Sequence, residues 1–160
     1  NLIGSDISPR AIEDTEKNIE WTKNNLNVSC ANLTLYNFDV KDLEKNITPQ
    51  SIDRIVTEPY LGKPLRGNEN YIELETQSRE LKNLYLSAFQ VFEKILQNKG
   101  IVVFVFPRFG AQDKIISTNL KEEIEKMNFK CLPFEEQNYL IYQRPGQEVG
   151  REIWRFQKID

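Results

Sequence analysis

Asp6, Asp39, Glu58 and Arg108 each come at or just past the end of a short apolar or β-branched run in this 160-residue chain. If those runs are strands of an open α/β sheet, these residues sit outside the strands' carboxyl ends, which is where such sheets bind ligands. Asp6 follows the opening run Leu2-Ile3-Gly4-Ser5. A carboxylate at the end of a strand that opens a strand-helix unit can accept both hydroxyls of a ribose, because it carries lone pairs on two oxygens. Asp39 follows the aromatic Phe38, so its carboxylate could accept an adenine amino group while an apolar neighbour covers the ring. Both acids also have a plainer reading, Asp6 as an acid preceding a helix N-terminus and Asp39 as a turn former. The chain has no histidine, which removes imidazole general bases, Ser-His and Cys-His nucleophile pairs and histidine metal sites. Cys30 and Cys131 stand at neither metal-ligand nor redox spacing and read as packing residues, so no metal is expected.

The elements that would carry these residues are legible from period and punctuation. Leu2 to Ser5 reads as a strand, Ser8 as a helix N-cap and Pro9 as the first helical position. Ile12, Thr15, Ile19, Thr22 and Leu26 recur at helical spacing and give that helix one face to bury, with Asn24-Asn25 marking its end. Strands follow at Leu33 to Tyr36 and Ile52 to Val56, with room for only a short helix between them. Leu81, Leu84, Tyr85, Ala88, Val91, Phe92, Ile95 and Leu96 predict a long amphipathic helix stopping at Lys99-Gly100. Ile101 to Phe106 is apolar at every position, which suits a central parallel strand covered by helices on both faces and terminated by Pro107. A helix through Leu120, Ile124 and Met127 and a hairpin of Tyr139 to Gln143 with Glu152 to Gln157 complete the chain. Alternating strands and helices predict an α/β sheet with parallel pairs, the hairpin adding one antiparallel strand near an edge.

With 39% hydrophobic and 28% charged positions, residues 1–160 have the composition of one soluble domain. They contain no secretory signal and no apolar run of about eighteen residues, so a cytoplasmic protein that does not engage a membrane is expected. The net charge of −3 is not the footprint of a free-standing nucleic-acid binder. Local basic groups exist at Lys63 and Arg66, at Arg108, and at Arg144, Arg151 and Arg155; solvated surface charge explains them equally well.

Asp6, Asp39 and the run Val56-Thr57-Glu58-Pro59-Tyr60-Leu61-Gly62, in this order and spacing, resemble the class I S-adenosylmethionine-dependent methyltransferases. The resemblance extends over the whole chain. It implies a Rossmann-like, mostly parallel sheet and S-adenosyl-L-methionine as cofactor, with Asp6 and Ile7 at its ribose and Asp39 and Val40 at its adenine. It also implies that the motif Thr57, Glu58, Pro59 and Tyr60 receives the target base. Amino-methylating members carry Asp or Asn, Pro, Pro and an aromatic residue, often followed by Gly. If the flanking Val-Thr and Gly set the register, Glu58 replaces the family's acid and Tyr60 its second Pro; if Pro-Tyr sets it, Thr57 takes the acid's place. The first register keeps an acceptor carboxylate and both flanks without a gap. Such an acceptor has a purpose: an exocyclic amine conjugated with a purine is a poor nucleophile, and acceptors on its N–H groups hold the nitrogen in line with the methyl donor, while Tyr60 could stack on the base.

The run from Tyr142 to Ile153, with Arg144-Pro145-Gly146 and Gly150-Arg151-Glu152, resembles the C-terminal hairpin of THUMP-associated tRNA guanine-N2 methyltransferases. That likeness implies transfer to guanine N2 of tRNA, with an upstream THUMP domain holding the RNA. Arg144 and Arg151 would then face phosphate or order the active-site wall, or pair structurally with Glu148 or Glu152. Rival readings are an adenine-N6 nucleic-acid or protein-glutamine methyltransferase, and a non-catalytic binding module of the same fold. The family's domain begins with a strand and a Gly-rich loop, and none of the seven glycines here falls in a G-x-G-x-x-G arrangement. The chain is therefore expected to be a partial catalytic domain, inactive alone.

Overall fold

The computed structural model describes residues 1–26, 32–111 and 114–160; Cys30 lies outside them. The described chain divides into two compact units, Asn1–Ile47 and Thr48–Asp160.

In the first unit, β1 (Leu2–Ser5) and β2 (Leu33–Tyr36) are joined through α1 (Pro9–Leu26) and pair in parallel, from Leu2 opposite Leu33 to Ser5 opposite Tyr36. The Ser8 carbonyl accepts the Ile12 N–H at 3.2 Å and its hydroxyl accepts the Ala11 N–H at 3.4 Å, so Ser8 caps the helix in front of Pro9. The Thr15 and Thr22 hydroxyls donate to the carbonyls one turn back, Ala11 and Asn18, both at 2.7 Å, but the face expected to be buried is not: no residue of α1 is buried, and Thr15 and Leu26 are exposed. A short 3-10 helix, Val40–Lys45, follows β2 with Asp39 as its N-cap, and it buries Leu43.

The second unit is a sheet in the order β3 (Ile52–Thr57), β4 (Leu96–Ala111), β8 (Val149–Lys158), β6 (Phe129–Cys131), with β5 (Lys114–Ser117) added to β4 and β7 (Tyr139–Tyr142) added to β8. Its first strand β3 (Ile52–Thr57) pairs in parallel with β4 (Leu96–Ala111), and α2 (Tyr71–Ile95) connects them. A capping box starts α2: the Asn70 side chain accepts the Glu73 N–H at 3.0 Å, and the Glu73 carboxylate accepts the Asn70 N–H at 2.9 Å. The buried stripe of α2 includes Leu74, Leu81, Tyr85, Phe89, Phe92 and Ile95. Phe89 is the hub of an aromatic core, with ring centroids 5.1–5.6 Å from Phe92, Phe104, Phe129 and Phe156. Aromatic pairs of this kind contribute about 0.5–1.5 kcal/mol each beyond their area burial.

Several boundaries differ from the sequence expectation for identifiable reasons. The long helix ends at Ile95, and Leu96 is already extended. The Lys99-Gly100 signal, with Lys99 at φ 61°, falls inside a bulge of β4, where the register moves from Ile52 opposite Leu96 to Arg54 opposite Ile101. Pro107 does not end β4, which runs on to Ala111. On one flank the partner β3 reaches only Phe104 and β5 (Lys114–Ser117) begins at Arg108, so Pro107 sits where that flank has no ladder, a position a strand proline tolerates. The expected helix through Leu120 and Met127 is the single turn α3 (Lys121–Glu125), closed at Asn128, whose φ is 70°. Within the apolar run of β4, Val102, Phe104 and Phe106 are buried while Ile101, Val103 and Val105 are half-buried, so the two faces are unequally covered.

The strands β5 and β6 (Phe129–Cys131) were not anticipated, being too short to show a period. The closing hairpin is β7 (Tyr139–Tyr142) with β8 (Val149–Lys158). The longer arm is interior, not near an edge: β8 pairs antiparallel with β4 on one side and with β6 and β7 on the other.

At the end of β8, Lys158 is buried, and its ammonium donates to the Glu93 carbonyl and, at 3.1 Å, to the Leu96 carbonyl, with the Glu93 carboxylate 3.3 Å away. This side chain satisfies carbonyls freed at the C-terminus of α2 and complements the negative end of the helix. Lys158→Met should therefore destabilise the fold by about 1–3 kcal/mol, read from denaturant unfolding; an unchanged midpoint would show that water replaces the ammonium without cost.

Candidate functional site

In the first unit the two acids expected at strand ends lie just past adjacent parallel strands, Asp6 after β1 and Asp39 past Tyr36 of β2. The strand-end segments are laced together. The Asp6 N–H donates to the Tyr36 carbonyl at 3.2 Å, the Asn37 amide donates to the carbonyls of Asp6 and Ile7 at 3.0 Å each, and the Ser5 hydroxyl donates to the Phe38 carbonyl at 3.4 Å. Each carboxylate also serves its own turn: Asp6 Oδ1 accepts the Ser8 N–H at 2.7 Å, and Asp39 Oδ1 accepts the Lys41 N–H at 3.0 Å. The structural roles allowed from sequence are thus present in both. They occupy one acceptor direction of a group that has about four, so both acids keep capacity for a ligand. Ile7 is 68% exposed beside Asp6, and Val40 is half-buried beside Asp39. The Phe38 ring stacks on Tyr36 with centroids 5.5 Å apart, so it is engaged with a neighbour in its own strand-end segment.

In the second unit Thr57 is the last residue of β3, opposite Phe104 and half-buried, and Glu58 is the first residue past the strand. The Glu58 side chain is 49% exposed, and its Oε1 receives Arg151 Nε at 3.1 Å and Nη2 at 3.0 Å. Arg151 therefore pairs with Glu58, and not with Glu148 or Glu152 as the sequence allowed. The side-chain period of β8 explains the choice, because Arg151 and Glu152 point to opposite faces of the sheet. Pro59 is half-buried and Tyr60 is 58% exposed. The backbone there is nonetheless fixed: the Tyr85 hydroxyl, from the buried stripe of α2, donates to the Tyr60 carbonyl at 2.7 Å. Burial pushes the Tyr85 phenol well above its ordinary range, so it remains a donor.

The loop after β3 lies against α2 and the β7–β8 turn. Gly62 has φ 104°, and a Cβ there would come 2.6 Å from Gln77 Nε2; the Gln77 Oε1 accepts the Lys63 N–H at 3.0 Å. Glycine is required here by the backbone conformation, a φ that side chains rarely adopt. The Glu69 carboxylate accepts the N–H groups of Arg66 at 2.6 Å and Gly67 at 3.0 Å, and these bonds, that of Arg66 foremost, hold its carboxyl below the usual range. A Cβ on Gly67 would stand 3.2 Å from Glu148 Oε1, which makes the loop a neighbour of the hairpin turn. Arg144, in that turn, donates from Nε to the Tyr142 hydroxyl at 2.6 Å.

Arg108 is not at a strand end, since β4 continues past it. Its Nε lies 3.9 Å from Glu152 Oε1 on the buried face of the sheet, while Glu152 Oε2 accepts the Trp154 indole N–H at 3.2 Å. Nothing in the residue pattern signals the parts played by Gln77 and Asn37. Tyr85 was findable in principle, because a hydroxyl on a buried helical stripe needs an acceptor. Among the described residues no group of three or more His, Cys, Asp or Glu is placed to hold a metal ion, and no helix is long and apolar enough to cross a membrane.

No protein-family model and no curated protein matches the sequence. Solved structures do resemble it. A putative DNA modification methylase from Thermus thermophilus superposes with a TM-score of 0.51 at 18% identity, over 76% of this chain and 52% of its own, so the chain spans about half the length of that protein. A SAM-dependent methyltransferase from Methanosarcina mazei gives 0.63 at 12% identity, over 98% of this chain and 81% of its own. NSun6 from Pyrococcus horikoshii, solved with SFG, gives 0.61 at 17% identity, over 99% of this chain and 41% of its own. At these identities the likeness is one of fold: the chain has the α/β, Rossmann-like fold of class I methyltransferases, with parallel strand-helix-strand units and an antiparallel C-terminal hairpin.

Burial pushes the Glu152 carboxyl up from its ordinary 4.5, opposed by the Trp154 N–H and by Arg108. A carboxyl with a raised folded value takes up a proton on folding, so its contribution favours the folded state in acid and is lost as pH rises from the unfolded value through the folded one. The stability of wild type relative to Glu152→Gln should accordingly increase as the pH falls from neutral toward 4.5. A difference that stays constant across that range in paired thermal melts would contradict the assignment.

Proposed function

We propose that this chain is the catalytic part of an S-adenosylmethionine-dependent methyltransferase acting on an exocyclic amino group of a nucleic-acid base, and that the base is guanine, at N2, in tRNA. The observation that carries the reading is the state of Glu58 and Tyr60 at the end of β3. Glu58 presents a carboxylate whose Oε1 is held by Arg151 and whose Oε2 has no protein donor among the described residues, next to an exposed ring on a tethered backbone. Such a pair can accept an amine N–H and stack a planar base.

The cofactor would supply the methyl group. Asp6, with Ile7, would bind its ribose hydroxyls, and Asp39, with Val40, would address its adenine. The spare acceptor capacity of both carboxylates suits that donor set. Glu58 would then orient the amine by accepting from it, Tyr60 would hold the base plane, and Thr57 and Pro59 would fix where the strand ends. Positioning of this type accounts for much of the rate in a transfer between two bound groups. The net charge of −3 supports a division of labour in which a separate module, of the THUMP type, grips the tRNA.

Two substitutions, made in the full-length protein, test the donor and acceptor sides separately. Asp6→Ala should weaken S-adenosylmethionine binding by about 1.5–3 kcal/mol, the range for losing hydrogen bonds to a charged group; calorimetry giving an unchanged Kd would remove Asp6 from the cofactor site. Glu58→Ala should lower turnover on the order of a hundredfold with little change in cofactor Kd. Thr57→Ala tests the other register: an essential Thr57 with a dispensable Glu58 would overturn the one adopted. Nucleoside analysis of the methylated product distinguishes N2-methylguanine from N6-methyladenine, and the latter would refute the guanine assignment.

A further inference from the structure

We propose that Arg151 is a positioning residue for Glu58, fixing the carboxylate so that Oε2 faces the substrate amine; this rests on the methyltransferase reading given above. The pairing is asymmetric. Guanidinium and carboxylate commonly meet as parallel forks, each oxygen taking one N–H. Here Nε and Nη2 both converge on Oε1, at 3.1 and 3.0 Å. The pair thereby engages one oxygen twice and leaves the other without a protein donor among the described residues, on a side chain that is half exposed, which is the arrangement an acceptor for an external N–H requires.

The anchor is built from the strand. Arg151 lies opposite Pro107 of β4 and Tyr142 of β7, so its backbone is held from both sides, and its side chain is only 24% exposed. Its third nitrogen, Nη1, donates to Gln147 Oε1 at 3.4 Å. Gln147 is fixed in turn, its N–H donating to the Arg144 carbonyl at 3.1 Å and its carbonyl accepting the Gln143 amide at 2.9 Å. Gly150 leaves room for that amide, since a Cβ there would come 2.9 Å from Gln143 Oε1. Glu58 has no comparable support of its own: it is half exposed, one residue past the end of β3, on a side chain with three rotatable torsions. A half-exposed ion pair contributes little to stability. The effect of this one is conformational, because it takes the rotamer freedom out of Glu58 before any substrate arrives.

The test is a double-mutant cycle in the full-length protein, with methyl transfer from S-adenosylmethionine to unmodified tRNA, rRNA and DNA as the readout. Arg151→Gln should lower kcat about tenfold while KM for cofactor and nucleic acid stays within about twofold. In the Glu58→Gln background the same change should cost less than about twofold more, because Arg151 acts only through Glu58. Arg151→Lys, which keeps the charge but cannot place two donors on one oxygen, should fall between wild type and Arg151→Gln. Thermal melts of the variants close to wild type would locate the loss in the site and not in the fold, whereas a collapse of Arg151→Gln with a normal Arg151→Lys turnover would make the pair structural and overturn the proposal. Equal losses in both backgrounds, or a loss confined to KM for nucleic acid, would also overturn it, the latter marking Arg151 as a phosphate contact. Wild type that methylates none of the three would sink the nucleic-acid methyltransferase reading and this proposal together, while active wild type with an unaffected Arg151→Gln would sink this proposal alone.

Discussion

The antiparallel ladder between β4 and β8 is the constraint on which the second unit depends. It runs without interruption from Ile101 opposite Gln157 to Phe109 opposite Val149. Because strand side chains alternate, this register decides at once which residues of β8 reach the core and which reach the candidate site. Trp154 and Phe156 go to the face that α2 covers, where Phe156 meets Phe89 and Trp154 meets Phe106. Arg151 goes to the other face, where it meets Glu58. A slip of one residue would bury Arg151 and carry Trp154 to the opposite face, so the aromatic core and the Arg151–Glu58 pair are not independent features. The energy that fixes the core register also aims the guanidinium.

How much of this was legible in the sequence follows from which interactions are local. The Ser8-Pro9 helix start, the stripe of α2, the strands at Leu33 and Ile52, and the Tyr139 hairpin were readable because each depends on period or capping within a short window. Other features depend on a distant partner. Pro107 reads as a strand terminator until the gap between β3 and β5 on its flank is known. Lys99-Gly100 reads as a helix stop, yet the helix ends earlier and the signal becomes a bulge. β6 is a strand because β8 extends as far as Lys158 to pair with it. The partner of Arg151 was unreadable for the same reason: it lies 93 positions away in sequence, and acids at Glu148 and Glu152 were nearer candidates.

At the strand ends of the first unit, the structural and the functional readings of an acid prove compatible. Asp6 and Asp39 each make the local turn bond that a bland interpretation requires. That bond does not compete with ligand binding, since it uses one lone-pair direction and fixes the rotamer of the group that offers the rest. A carboxylate tied to its own backbone is a better acceptor for an external hydroxyl or amine than a free one, because less side-chain entropy remains to be lost on binding. Asn37 extends this logic to the backbone by joining the carbonyls of Asp6 and Ile7 from the neighbouring strand end. The position of Asp6 therefore depends on β2 as well as on β1.

Glu58 solves the same problem by different means. A glutamate one residue past a strand has an extra methylene compared with an aspartate, hence one more torsion to order and a longer reach. No backbone N–H among the described residues ties it down as Ser8 ties Asp6. The tether comes instead from Arg151 across the sheet, and a guanidinium on a doubly paired strand is stiffer than a loop amide would be. The added freedom of the longer acid and the added rigidity of its partner offset one another. It follows that the identity of the acid and that of the arginine are coupled: shortening Glu58 would withdraw its carboxylate from the guanidinium, and an aspartate in its place would need an anchor from its own turn, as Asp6 and Asp39 have.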